Sequence, residues 1–316
     1  MRVLVATDFS EKARTAYEIV RSMELPAGSH VRVVHAVEPI TTVHVFAPSA
    51  LLTINEAAQV DAKALVRRYA KELARPFIES DGVIGLGRAA DVIVDEALSF
   101  GPDILVVGSR GHGGFASAVL GSVSAEIVDR APCPVLITRK NTLSSLVLAE
   151  DGSVNASAGA HVIRDTPALM GLPLHVVSVV DAAFPTLAID PGATGASLAA
   201  YRAYEEALPA LRATHLGFAR DRAVALRSAG VNATSEQREG DAGAELIAAA
   251  KDRGADCIVI GSRGQTGLQR LTLGSVARSV LFNAPCSVLI VHARRAAAAN
   301  SNGHTPVAAA TSKKEM

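Results

Sequence analysis

Residues 108–122 read GSRGHGGFASAVLGS, and residues 261–275 read GSRGQTGLQRLTLGS. Both stretches have the spacing G-x2-G-x9-G-S, and each follows a short apolar run, ILVV in the first and CIVI in the second. A glycine-rich segment between an apolar strand and a helix exposes backbone N–H groups that can bind an anion. The two stretches therefore predict two strand–loop–helix units, each with a phosphate-binding loop.

The repeat extends well beyond these glycines. Residues 103–139 match residues 256–292 at 17 of 37 positions without a gap, and residues 3–10 correspond to residues 146–153. A repeat of roughly 150 residues is the length of a domain, because the units of a solenoid are far shorter. The predicted domains are residues 1–139 and 144–293, and residues 294–316, which contain few large apolar side chains, are predicted to form a disordered tail.

Apolar runs of four to seven residues alternate with helical patterns in both units. Such runs, rich in Val, Ile and Leu, are typical of buried parallel strands, and their alternation with helices favours a doubly wound α/β fold. The predicted strands are Arg2–Ala6, Val31–Val37, Val83–Leu86, Ile104–Val107 and Val135–Thr138, then Leu146–Ala149, Leu174–Val180, Ala233–Glu236, Cys257–Ile260 and Val288–His292. Ligands of such sheets bind beyond the carboxyl ends of the strands, where both glycine stretches lie.

Two further segments and two aspartates have predicted roles outside this alternation. Residues 38–54 and 181–195 follow the second strand of each unit and are predicted to be loops over the pocket, since they mix apolar residues with Thr, Pro, Ser or Gly. Asp103 and Asp256 precede the fourth strands, at the end of the sheet away from the phosphate loops, and are predicted to be structural.

Composition excludes several classes of function. The chain has 316 residues and zero formal net charge, which argues against binding to nucleic acid or to an anionic membrane. Its three cysteines have no paired spacing, so neither a disulfide framework nor a zinc site is expected. The amino terminus resembles a strand and not a signal peptide, and no apolar run reaches the roughly 18 residues of a membrane span. We expect a cytoplasmic protein.

Glycine, serine and arginine have distinct predicted roles in the phosphate loops. Glycine lets the backbone approach an anion or turn sharply, serine at a helix start adds a hydroxyl donor, and arginine pairs with phosphate oxygens. Three alternatives remain open: the glycines are purely structural, the serines are ordinary N-caps, and the arginines are solvated loop charges. The candidate residues are Gly108, Arg110, Gly111, Gly121 and Ser122 in the first unit, and Gly261, Arg263, Gly264, Gly274 and Ser275 in the second.

The two glycine stretches, the opening VATDFS and the closing APCPVLI and APCSVLI resemble the universal stress protein family in its tandem-domain form. The resemblance covers residues 1 to about 293. It implies two Rossmann-like domains, each a five-stranded parallel sheet flanked by helices. Because both signatures are intact, it also implies an ATP site in each unit, with Mg²⁺ or Mn²⁺ arriving with the triphosphate.

The same resemblance assigns the residues at the other end of each nucleotide. It implies that Asp8 and Asp151 face the ribose and adenine, and that Val37 and Val180 offer backbone groups to adenine. The first site is predicted to be the firmer, because Glu150 and Gly152 flank Asp151 and introduce an extra carboxylate and a flexible turn. The fifth strands of the two units are the expected contact edges of a pseudo-twofold pair.

No catalytic constellation accompanies the phosphate loops. The chain has no G-x4-G-K-[ST] sequence and no H-E-x-x-H sequence, so we expect no catalytic residue and no protein-held metal. Three functions remain open: an ATP-binding stress-response regulator with slow or no hydrolysis, a true ATPase or adenylating enzyme, and a scaffold that binds no ligand. We expect the regulator to form a homodimer and to act on a protein partner that the sequence leaves unidentified.

Overall fold

The computed structural model describes residues 1–11, 13–41, 48–109, 120–181, 195–264 and 273–293. Strands and helices alternate through these residues, as the buried apolar runs predict. The first unit contains β1 (Arg2–Ala6), α1 (Arg14–Ser22), β2 (Ser29–Val37), α2 (Pro48–Leu73), β3 (Ile78–Leu86), α3 (Ala89–Phe100), β4 (Ile104–Gly108), α4 (Ser122–Arg130) and β5 (Val135–Thr138).

The second unit repeats this order with one additional short helix. It contains β6 (Leu146–Ala149), α5 (Val154–Asp165), α6 (Pro167–Met170), β7 (Leu174–Val180), α7 (Gly195–Ser228), β8 (Ala233–Glu239), α8 (Ala242–Asp252), β9 (Cys257–Gly261), α9 (Ser275–Asn283) and β10 (Ser287–Val291). Among the described helices, none is both long and apolar enough to cross a membrane.

All ten strands join one sheet in the order β3-β2-β1-β4-β5-β10-β9-β6-β7-β8. Pairing is parallel within each unit, and it is antiparallel only where β5 meets β10, with Leu136 opposite Leu289. The fifth strands are therefore the contact edges, as predicted. In each unit the strand order reverses between the first strand and its two neighbours, so each unit has its own crevice at the carboxyl ends of the strands.

Helices cover both faces of the sheet. Val3 and Val5 of β1 face a core shared with α1, α2, α5 and α7, whereas Leu4 and Ala6 face a second core with α3, α4, α8 and α9. This alternation is the period-two pattern of a strand that is buried on both sides. The prediction of two Rossmann-like domains, each a five-stranded parallel sheet between helices, is confirmed.

Several predicted boundaries need correction. Residues 48–54 belong to α2 and residue 195 to α7, so they are not loop, while residues 42–47 and 182–194 of the predicted pocket loops lie outside the described residues. Strands β3 and β8 are also longer than predicted, because they continue through polar residues at the two edges of the sheet. The predicted tail, residues 294–316, lies outside the described residues too.

The aspartates before the fourth strands are structural, as predicted. Asp103 Oδ2 accepts a hydrogen bond from the backbone N of Arg2 at 2.7 Å. Asp256 accepts one from Lys140 Nζ at 2.9 Å and one from the backbone N of Ser144 at 3.1 Å, which fixes the segment between the units. Burial opposes ionisation of Asp256, but the bonds from Ser144 and Lys140 outweigh it and lower the pKa of this carboxyl.

Candidate functional site

The turns that follow β1 and β6 carry the two predicted aspartates. Asp8 Oδ1 accepts a hydrogen bond from the backbone N of Ser10 at 3.0 Å, and Asp151 Oδ1 accepts the same bond from Ser153 at 3.0 Å. These side-chain bonds to the backbone two residues later define an Asx turn. Both carboxylates are therefore held in the same way at the carboxyl ends of equivalent strands.

The extra carboxylate of the second unit does not shift its turn relative to that of the first. Thr7 Oγ1 accepts a bond from Phe9 N at 3.0 Å, and Glu150 Oε1 accepts the matching bond from Gly152 N at 2.7 Å. The residue at the turn has positive φ in both units, 62° at Phe9 and 78° at Gly152. Glutamate thus supplies the acceptor that threonine supplies in the first unit.

In both units the third glycine of the signature forms a backbone hydrogen bond to the residue after the first glycine. Gly121 N donates to Ser109 O at 2.9 Å, and Gly274 N donates to Ser262 O at 2.8 Å. These bonds bring the start of α4 beside the end of β4, and the start of α9 beside the end of β9. Gly108 ends β4, and its carbonyl accepts a bond from Ser124 Oγ at 2.8 Å. Arg110 and Gly111 lie outside the described residues.

Helices α4 and α9 begin without a side-chain cap. Their N-cap residues are Gly121 and Gly274, both in extended conformation, and Ser122 and Ser275 are the first helical residues. The interpretation of these serines as ordinary N-caps is therefore wrong. Because the first N–H groups of a helix have no intrahelical partner, an uncapped start offers backbone donors and the positive end of the helix dipole.

The three glycines of the second signature have different surroundings. A Cβ atom at Gly261 would lie 2.6 to 3.0 Å from Asn155 of α5, backbone atoms included, so this glycine serves the packing of helix against strand. A Cβ at Gly264 would lie 2.6 Å from Asp151 Oδ2. A Cβ at Gly274 would meet protein atoms only at 3.5 Å or more, and its φ of −63° suits any residue.

A cavity of about 520 Å³ opens at the carboxyl ends of β6, β7 and β9. Its wall brings together six of the seven residues predicted for the second site: Asp151, Gly261, Arg263, Gly264, Gly274 and Ser275. Val177 and Val179 of β7 add apolar wall, as do Leu246 and Ile260. The cavity thus joins the uncapped start of α9 to the turn that holds Asp151.

Val180, the seventh predicted residue, does not line this cavity. Its carbonyl accepts a hydrogen bond from Gly240 N at 3.0 Å, and the carbonyl of Val37 accepts one from Gly87 N at 3.1 Å. The two valines thus occupy equivalent positions at the ends of β2 and β7. Contact between their backbone groups and adenine stays a prediction.

His215 of α7 also lines the cavity, and sequence reasoning missed it. Its Nδ1 lies 2.9 Å from Ser178 Oγ in a hydrogen bond, and its ring packs edge-on against Phe218 at 5.6 Å between centroids. Burial lowers the pKa of His215, and the nearby carboxylate of Asp151 opposes that shift only in part. The imidazole is therefore neutral at pH 7 and has one donor and one acceptor nitrogen.

A sequence signal for His215 does exist in the repeat. An offset of 153 residues, which aligns the glycine signatures, also aligns the core positions Val66 with Ala219 and Leu73 with Leu226. The same offset sets His215 against Ala62, so the second unit has an imidazole where the first has a methyl group. No group of three or more His, Cys, Asp or Glu side chains able to hold a metal occurs within the described ranges.

Comparison with known proteins agrees with this architecture. Residues 1–139 and 144–292 each match the model of the universal stress protein family. A universal stress protein of Synechocystis sp. is 24% identical over 310 residues, which cover 91% of this chain and 98% of that protein. One from Thermus aquaticus is 31% identical over 140 residues, covering 43% of this chain and 97% of that protein.

Solved structures show the same fold. The crystal structure of a universal stress protein from Archaeoglobus fulgidus has a TM-score of 0.62 at 18% identity, and the match covers 92% of this chain and 98% of that one. A second crystal structure, of a putative universal stress protein from Pseudomonas aeruginosa, has a TM-score of 0.53 at 18% identity and covers 95% and 96%. The chain therefore belongs to the universal stress protein family and carries two family domains in tandem.

Proposed function

We propose that this protein is a stress-response regulator that binds ATP, one molecule in each unit, with slow or no hydrolysis. The observation that carries the proposal is the cavity of the second unit, whose lining includes Arg263, Asp151 and the uncapped start of α9. The choice of ATP among nucleoside phosphates rests on the resemblance of the intact glycine signatures to ATP-binding members of the family.

The residues that line the cavity suit both the phosphates and the sugar of a nucleotide. The backbone donors of α9 and the guanidinium of Arg263 favour a phosphate chain. The carboxylate of Asp151 also lines the cavity, with Oδ2 beside Gly264, and a carboxylate accepts hydrogen bonds from sugar hydroxyl groups. The cavity volume of about 520 Å³ also falls in the range of roughly 300–1,000 Å³ that is typical of small-ligand sites.

Gly274 supports the presence of a ligand independently. Neither packing nor backbone conformation requires glycine at this position, because a Cβ would meet protein atoms only at van der Waals distance. Close approach of a ligand to the start of α9 explains the missing side chain. Mg²⁺ or Mn²⁺ fits this site as a companion of the triphosphate, bound by phosphate oxygens and water with few protein ligands.

Hydrolysis would need a group that activates water. The best candidates, Asp151 and Asp8, already accept hydrogen bonds within their turns. Asp151 Oδ1 accepts a hydrogen bond from Ser153 N, and Asp8 Oδ1 accepts the equivalent bond in the first unit. A carboxylate fixed in a turn beside a sugar suits binding better than general-base catalysis. Nucleotide occupancy would then regulate a protein partner, and the active form would be a homodimer. The cysteines Cys133, Cys257 and Cys286 are all buried and form no disulfide, which fits a cytoplasmic protein.

The start of α9 offers a sharp test of ATP binding. We expect Gly274→Asp to weaken ATP binding in the second unit at least tenfold, because a carboxylate at the N-cap repels phosphate. Aspartate is a good N-cap, so the helix itself should stay stable. The matched control is Gly274→Asn, which has nearly the same shape and capping ability without the charge. Gly121→Asp and Gly121→Asn form the same pair for the first unit.

Isothermal titration with ATP gives both the stoichiometry and the dissociation constants. The proposal expects about two sites in the natural chain, one in either single Asp variant and none in the double Asp variant. The Asn variants should bind more tightly than the Asp variants. Absence of ATP binding by the natural chain, or ATP binding by the Asp variants that is as tight as that of the natural chain, would contradict it. Steady phosphate release that is lost in Asp8→Ala while ATP still binds would instead indicate a true ATPase.

A further inference from the structure

His215 reaches the cavity from α7, a helix that carries no part of either glycine signature. The hydrogen bond between its Nδ1 and Ser178 Oγ, 2.9 Å long, links the imidazole to β7. Ser178 is fully buried, and the ring of Phe218 packs against the imidazole from the next turn of the helix. Strand and helix together hold the ring in one orientation at the wall of the cavity.

The strand order gives the distance of this imidazole from the phosphate loop. The glycine signature follows β9, the turn with Asp151 follows β6, and His215 is anchored on β7, in the order β9-β6-β7. Adjacent strands lie about 4.8 Å apart, so His215 is about 10 Å from the end of β9 along the sheet. A ligand whose phosphates bind at α9 therefore presents its opposite end, the nucleoside, to His215.

The chemistry of His215 suits that end of the ligand. Within the described part of the chain no hydrogen bond to Nε2 is present, whereas Nδ1 is bonded to Ser178. A neutral imidazole with one ring nitrogen engaged by the protein can use the other for a hydroxyl group or the edge of a base. Val177 and Val179, on the face of β7 away from Ser178, give the cavity an apolar wall, which favours a flat ring over a charged group.

The first unit places its imidazole differently. Its residue at the position of Ser178 is His35, whose Nδ1 lies 2.7 Å from Thr7 O, and its residue at the position of His215 is Ala62. His35 also packs against Phe9, with 4.6 Å between ring centroids. The imidazole thus comes from the second strand in one unit and from the long helix in the other, so the repeat does not place an equivalent of His215 in the first unit.

We propose that His215 is a specificity-determining residue of the second unit, which hydrogen bonds to the nucleoside part of the bound ligand through Nε2, with Ser178 as its positioning residue. This inference rests on the proposed ATP-binding function. It goes further because it assigns recognition of the nucleoside in the second unit to α7, whereas the phosphates are recognised at the start of α9.

The test uses the full chain with Gly121→Asp, so that only the second unit binds. Titrations with ATP and with inorganic triphosphate compare this chain with the same chain carrying His215→Ala. We expect the dissociation constant for ATP to rise about five- to tenfold, as for the loss of one hydrogen bond, while that for triphosphate stays within about twofold. Alanine occupies the equivalent position of the first unit, so the fold should tolerate it.

Two further variants complete the experiment. His215→Gln keeps a hydrogen-bonding amide and should recover most of the ATP affinity, whereas His161→Ala, on the exposed face of α5, should change neither constant. Unchanged ATP affinity in His215→Ala, or an equal loss for ATP and triphosphate, would overturn the assignment of His215 alone. If ATP binds to the natural chain but not to the Gly121→Asp chain, the second unit does not bind ATP, and the assignment of His215 is overturned too. No ATP binding by the natural chain would overturn the proposed function as well.

Discussion

Glu150 Oε2 lies 2.5 Å from Arg222 Nε, and this pair links the end of β6 to the C-terminal part of α7. The side chain of Glu150 is 1% exposed and that of Arg222 is 21% exposed. Arg222 Nη2 also donates to Ser157 Oγ at 2.6 Å. The first unit has Thr7 and Tyr69 at the corresponding positions, so a buried ion pair has replaced an uncharged pair.

Removal of Arg222 should strongly destabilise the second unit. Arg222→Met would leave the carboxylate of Glu150 buried without its charge partner, which costs about 3–5 kcal/mol in comparable buried pairs. Urea unfolding at pH 7, followed by circular dichroism, measures the change in the free energy of unfolding.

The control for this prediction comes from the first unit. The double variant Glu150→Thr, Arg222→Tyr installs the residues of the first unit and removes the buried charge together with its partner. It should lose less stability than Arg222→Met alone, because replacing both partners of a buried pair is often nearly neutral. If the double variant is less stable than Arg222→Met, loss of the charge pair does not explain the lower stability of Arg222→Met.

The glycine signature predicts the location of the site better than it predicts the role of each glycine. Spacing places Gly261, Gly264 and Gly274 at the mouth of one cavity, because a glycine loop after a parallel strand must lie at the carboxyl end of the sheet. Spacing cannot reveal that Gly261 packs on Asn155, since that contact joins residues more than a hundred positions apart. His215 was missed for another reason: the apolar pattern of a long helix marks no single residue, and only alignment of the two units sets His215 against Ala62.

These different surroundings predict different costs for the same substitution. Gly261→Ala should destabilise the second unit by about 1–3 kcal/mol, because its Cβ would lie 2.6 Å from Asn155 Cβ and 2.8 Å from Asn155 C, and α5 must shift. Gly274→Ala should cost less than about 1 kcal/mol, since its Cβ meets only ordinary contacts. Urea midpoints of the two variants and the natural chain check the difference. Equal losses would contradict this account of the signature.

The edges of the sheet show where sequence patterns fail. Val83–Leu86 and Ala233–Glu236 contain only part of β3 and β8, and the remaining strand residues include Glu79, Asp81, Arg238 and Glu239. An edge strand is hydrogen bonded on one side only and carries charged side chains that an apolar pattern does not detect. The central strands, buried on both faces, match their predictions to within two residues.

Glu236 of the edge strand β8 should make the stability of the protein depend on pH in the acid range. Burial opposes ionisation of Glu236, but hydrogen bonds from Arg253 at 2.8 Å and Arg238 at 2.5 Å outweigh it and lower the pKa of Glu236 to about 2. Between its usual pKa of 4.5 and this value, the unfolded chain binds more protons than the native one. The stabilisation is therefore complete above about pH 4.5 and is lost as the pH falls towards 2.

Glu236→Gln measures this contribution. At pH 7 the variant should be less stable than the natural chain by about 1–3 kcal/mol, and the difference should shrink at pH 3. Glu79→Gln, at an exposed position of the opposite edge strand, is the matched control and should change little at either pH. A Glu236→Gln deficit that stays constant between pH 7 and pH 3 would contradict the assigned pKa.

Arg139 forms hydrogen bonds that join the first unit to the second. It follows β5, and its backbone N donates to Ser287 Oγ at 3.1 Å while its guanidinium donates to the carbonyl oxygens of Leu281 and Cys286. These bonds secure the end of α9 and the start of β10 to the first unit, beside the antiparallel pair of β5 and β10. Charge-assisted bonds to carbonyl groups near a helix end each contribute about 1.5–3 kcal/mol.

Arg139→Ala should therefore lower the stability of the junction by about 2 kcal/mol, and it should leave ATP affinity unchanged because Arg139 does not line the cavity. Limited proteolysis of the natural chain and the variant measures opening of the segment between β5 and β6, and titration with ATP measures binding. Arg164→Ala removes an exposed arginine of α5 and serves as the control. If cleavage is faster in both Arg139→Ala and Arg164→Ala, or in neither of them, Arg139 does not hold the units together.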